Sequence, residues 1–98
     1  MNSSDVIKEV CRYAGITEDS LMMPRRYGCS VTWRRIAAYI LYDHCNATQQ
    51  FIANQLGYSK HENTKHHVEK LRYWLANQQV APRDEVIACR NIMNNLGL

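Results

Sequence analysis

The sequence predicts an all-α domain, and three observations carry that prediction. Only two prolines and four glycines punctuate 98 residues, every long segment repeats its apolar residues with a helical period, and 46% of the residues are hydrophobic. That length and content suffice for a single core and not for two, so residues 1–98 are read as one domain.

Six helices follow in order. Asn2–Ser4 can cap a first helix running to about Tyr13, with Val6, Ile7, Val10 and Tyr13 or Ala14 on its inner side and Gly15 ending it. Thr17 with Glu18 and Asp19 opens a short second helix, because acids suit the positive end of a helix. Pro24 and Gly28 then break the pattern, so Met22–Ser30 reads as a loop exposing Arg25 and Arg26. Ser30 can cap a third helix to about His44, with Trp33, Ile36, Ala37, Ile40, Leu41 and His44 as its buried stripe. Thr48 caps a short fourth helix that turns Phe51, Ile52 and Leu56 inward and stops at Gly57. Ser59 to Glu62 has the Ser-x-x-Glu capping-box form and starts a fifth helix to about Gln78, buried along Thr64, Val68, Leu71 and Leu75. Pro82 opens a last helix to about Leu96.

Composition excludes several classes. No apolar run reaches the roughly 18 residues a membrane helix needs, and the start "MNSSDVIKEV" lacks the apolar segment of a secretory signal. Cys11, Cys29, Cys45 and Cys89 are far apart with no Cys-x-x-Cys pair, which fits reduced thiols in a cytoplasmic protein. The net charge is +3, yet residues 25–75 carry +5 against −2 for residues 1–24 and zero for the remainder. A basic centre of this kind suits a polyanionic partner, while lysines scattered over a solvated face give the same numbers.

A short helix, a glycine turn and a longer helix form the layout of a helix-turn-helix. Ala53 is small enough, four residues before Gly57, to let the two helices cross closely. The positions that ordinarily anchor the second helix hold Asn63 and His66, whereas Thr64 and Val68 fit that role, so the turn is expected to be longer by about one residue. This register leaves Lys60, Glu62, Asn63, His66, His67 and Lys70 on the outer side. Lys, Asn and Glu can meet guanine, adenine and cytosine edges respectively, and a wet helix face offers the same residue types with no such role. Glu62 can equally fold back as a cap.

The histidines do not assemble a metal site by spacing: His61 and His66 are five apart and His66 and His67 adjacent, and neither interval stacks two rings on one face. His44 and His61 are expected to edge the core, with His66 and His67 exposed. No nucleophile elbow, carboxylate pair or glycine-rich phosphate cradle is present, so neither an enzyme nor a cofactor is expected.

The stretches "VCRYAGITEDSLMMPRRYGCSVTWRRIAAYIL" and "FIANQLGYSKHENTKHHVEKL" resemble the C-terminal DNA-binding domain (domain IV) of the bacterial chromosomal replication initiator DnaA. The resemblance runs from about Val6 to Leu96, nearly the whole chain. It implies a Trp-repressor-like bundle of helices with an extended helix-turn-helix that binds double-stranded DNA in origin binding or in control of replication or transcription.

Carried over by position, Arg26 falls on a loop arginine that enters the minor groove, with Arg25 beside it on the backbone. Arg34 falls on a long-helix arginine that meets phosphate, and Arg35 beside it could do the same. Thr48 matches the cap that touches phosphate through its helix end, with Gln49 next to it. His61 matches the family's signature histidine, His66 a second histidine and Lys70 a basic residue further on. Base contacts are therefore expected from Lys60, His61, Glu62, Asn63 and Arg26. Backbone contacts are expected from Arg25, Arg34, Arg35, Thr48, Gln49, Ser59, His66 and Lys70.

The departures are specific. Where the family signature reads Arg-Asp-His-Thr-Thr, this chain has Ser59, Lys60, His61, Glu62 and Asn63, and Gly28 and Tyr42 stand at places often basic. Positioning parts are kept while base-reading parts are changed, which implies a preferred sequence other than the initiator's box. The family's ATPase module is not in this sequence. Met1 before a capped helix reads as a free-standing frame, so the expectation is a small DNA-binding regulator or a protein whose partner supplies the motor.

Overall fold

The computed structural model describes residues 2–22, 28–58, 62–77 and 79–98. These residues form six α-helices and no strand: α1 (Ser3–Ala14), α2 (Glu18–Met22), α3 (Gly28–Cys45), α4 (Gln49–Leu56), α5 (Glu62–Ala76) and α6 (Arg83–Asn95). The chain is all-α, as its periodicity predicts. No helix among the described residues is long and apolar enough to cross a membrane.

Local chemistry sets most boundaries. The Asn2 side chain accepts from the Ser4 amide at 2.9 Å, and Gly15 closes α1 in the left-handed region at φ 71°. The Thr17 hydroxyl accepts from the Ser20 amide, fixing the start of α2. At α4, Thr48 Oγ1 accepts from the Phe51 amide at 3.1 Å, and Gly57 at φ 73° ends the helix. Pro82 stands immediately before α6, and Asp84 and Glu85 occupy its first turn. One boundary corrects the sequence reading: α3 already includes Gly28, so Gly28 does not belong to the loop and Ser30 is not the cap.

α3 is the axis of the bundle, and α1, α2, α4, α5 and α6 all pack against it. Its Ile36, Ala37, Ala38, Ile40 and Leu41 are fully buried. They meet Val6 and Val10 of α1, Leu21 of α2, Ile52 and Leu56 of α4, Val68 and Leu71 of α5, and Ile92 of α6 in one core. Each valine, leucine or isoleucine among them contributes about 1.5–3 kcal/mol by leaving water. Cys11 and Cys89 are buried free thiols in the same core, and burial pushes the Cys89 thiol up to about 12.

Four expected core positions differ. Phe51 is exposed, because Ile52, Ala53 and Leu56 define the inner stripe of α4 and Phe51 lies one helical step off it. His44, in the last turn of α3, is exposed and rests edge-on against Tyr39. Trp33 and Leu75 are only partly buried against the core. Tyr13 packs edge-on against Trp33 and accepts from Asn91 Nδ2 at 2.9 Å, tying α1 to α3 and α6.

Candidate nucleic-acid interface

The two helices around Gly57 are held in register from below. Gly57 and Tyr58 both donate their amides to the Ala53 carbonyl, so the chain leaves α4 through a left-handed cap that a side chain at Gly57 would strain. Thr64 is fully buried in α5, and its hydroxyl reaches back to the Gln49 carbonyl at 3.4 Å. Val68 and Leu71 continue the same inward face. The anchors of α5 are therefore Thr64, Val68 and Leu71, as the sequence register predicts.

That register turns His66 and Lys70 outward, both exposed, together with Lys65 and Glu69. Lys65 and Glu69 approach at 3.9 Å on the surface, a pair worth little in water. The Lys70 ammonium lies 5.4 Å from the Trp74 ring centroid, one turn along α5. Thr48 is exposed at the start of α4 and Gln49 is half-buried behind it. The first amides of α4 form a site of positive potential beside these two side chains. Glu62 and Asn63 occupy the first positions of α5, and their side chains lie outside the described set. Arg25, Arg26, Ser59, Lys60 and His61 also lie outside the described residues. The element before the two loop arginines, α2, packs against α4.

Beneath this surface lies a polar cluster that the sequence reading assigns differently. Arg34 is 4% exposed, with its guanidinium carbon 5.6 Å from the Tyr58 ring centroid. Arg35 donates through Nη1 to both oxygens of Glu85 at 2.9 and 3.0 Å, and through Nε to His67 Nδ1 at 3.3 Å. Its guanidinium also covers the Trp74 ring at 5.0 Å. Arg34 and Arg35 thus correct the expectation of phosphate contacts, because both charged groups are spent inside the fold. The stripe of α3 is wider than a single face, and both arginines fall within it.

His67 is a second correction. It is half-buried rather than exposed, stacked on Tyr58 at 5.3 Å. Burial, helped by the Arg35 charge, lowers its pKa from 6.5 to about 4, so it is neutral at pH 7 and its Nδ1 can accept from Arg35. Tyr58 is pushed up to about 12 by burial, against the pull of Arg34 and Arg35. Its hydroxyl is buried with no hydrogen-bond partner among the described residues. These groups join α3, the residue after Gly57, α5 and α6 into one assembly that fixes the tilt of α5. Sequence offered no signal for it, since Arg35 and Glu85 are fifty residues apart.

No protein-family model and no curated protein matches this chain.

Proposed function

We propose that this chain binds double-stranded DNA, laying the front of α5 in the major groove. The observation that carries the reading is the outward pair His66 and Lys70 on a helix whose opposite face is pinned by Thr64, Val68 and Leu71, directly after a capped α4 and a glycine turn. Lys60, His61, Glu62 and Asn63 precede that pair and supply the base readers, and Arg26 reads the minor groove. Thr48, Gln49, Ser59, Arg25, His66 and Lys70 hold phosphates. Arg34 and Arg35 take no part in that set, because their charged groups are turned to the interior. The pose is that of the DnaA C-terminal domain, a Trp-repressor-like fold, in a non-catalytic cytoplasmic regulator of replication or transcription. An ATPase, where origin opening requires one, comes from a partner protein.

Changed residues at the reading positions support a target sequence different from the initiator's box. Selection from a random duplex library tests both halves. A defined motif is expected, bound with a salt slope of about −2, since each neutralised phosphate contributes about −0.9 and Arg25 and Lys70 are the cations assigned to phosphates. Recovery of the initiator's own box would refute the altered specificity. The inward charged groups of Arg34 and Arg35 favour one other reading, a protein-interaction module that keeps the fold. A chain with no salt-dependent duplex affinity would be that module.

A further inference from the structure

We propose a second interaction surface: the groove along the outer face of α6 takes an acidic amphipathic helix from a partner protein. Gln79, Ala81, Arg83, Val86, Ile87 and Arg90 line a hollow of about 520 Å³. Positions 83, 86, 87 and 90 fall on one face of α6 at helical spacing, with the apolar pair between the two arginines. Ile87 is 44% exposed, and an adjoining hollow that shares Gln79 displays Tyr73 and Val80 at 57% and 62%. Three exposed large apolar groups along two adjoining hollows are the arrangement that a second element covers.

Charge identifies the occupant. Arg83 and Arg90 are both exposed and form no ion pair among the described residues. The lining holds no acid, Glu85 is turned inward to Arg35, and Asp84 lies one helical step off this face. The arginines are two turns apart, about 10 Å along the axis. A partner helix with carboxylates seven residues apart and apolar residues between them matches both charges and the depression, the helix-in-groove mode of recognition. The inference stands apart from the DNA reading. The groove adjoins the Tyr73 end of α5, about 20 Å from its Glu62 end, so both surfaces can be filled at once.

The test is titration of the full isotope-labelled chain with a synthetic peptide of about 18 residues, long enough to hold a helix, bearing leucines on one stripe and two glutamates seven apart. A control peptide carries lysines in place of the glutamates. The acidic peptide should move the amide signals of Val80, Ile87 and Arg90, and the control should not bind. Arg83→Glu with Arg90→Glu should weaken the acidic peptide by at least about tenfold and admit the control, since like charges across an interface repel. These side chains are exposed, and unchanged circular dichroism verifies folding. Equal affinity for the two peptides, no binding of either, or indifference to the charge reversal would overturn the proposal. Self-association abolished by Ile87→Asp would also overturn it, making the occupant a second copy.

Discussion

Glu85→Ala is the sharpest perturbation of the framework beneath the candidate interface. Glu85 is 6% exposed, and the Arg35 side chain it neutralises is 12% exposed. Removing the carboxylate leaves a guanidinium in the interior with only the Trp74 face and a neutral His67 as company. Breaking such a buried pair from one side costs about 3–5 kcal/mol. A domain of this size has about 5–15 kcal/mol in total. The loss should therefore lower the melting temperature by at least about 12 °C, at about 4–8 °C per kcal/mol. Replacing both partners, as Arg35→Met with Glu85→Leu, should restore stability to within about 1 kcal/mol, because no charge is then stranded. Urea denaturation followed by circular dichroism gives all three values. A loss below about 1 kcal/mol for Glu85→Ala, or additive effects in the pair, would refute the claim that this ion pair locks α6 to α3.

Three further outcomes follow from the same cluster and from the cap of α4. His67 titrates near 4 in the fold and near 6.5 when unfolded, so the unfolded chain binds more protons between those values and stability falls as the pH drops through that window. His67→Gln should flatten that part of the pH–stability profile, and a His67 ring signal titrating near 6.5 in the folded chain would contradict it. Tyr58→Phe removes a buried hydroxyl that has no partner among the described residues, and should be neutral or stabilising by about 1 kcal/mol in thermal melts. Thr48→Ala should cost about 1 kcal/mol, since the side chain caps α4, and should weaken duplex binding if that helix end meets phosphate.

The helices were readable because their signals are local. Asn2, Gly15, Thr48 and Gly57 act within one turn of where they stand, and the Thr64–Val68–Leu71 register needs only the helical period. What escaped the sequence depends on distant packing. Arg34 and Arg35 look like exposed cations until α5 and α6 close over α3, and nothing near Glu85 marks it as the neutralising partner of Arg35. His67 and His66 are neighbours of one residue type, yet Tyr58 covers one of them and leaves the other in water. Phe51 shows the opposite error, an apolar residue assigned inward whose helix had already filled its inner stripe. The candidate site is legible on the outer face of α5 and misread where it enters the core.

The most direct measurement is an amide-shift map of the labelled chain on adding a selected duplex at low salt. Changes should concentrate at Thr48, Gln49 and the stretch from Glu62 through Lys70, and leave Val86, Ile87 and Arg90 of α6 in place. Shifts gathered on α6 with α5 silent would contradict the account.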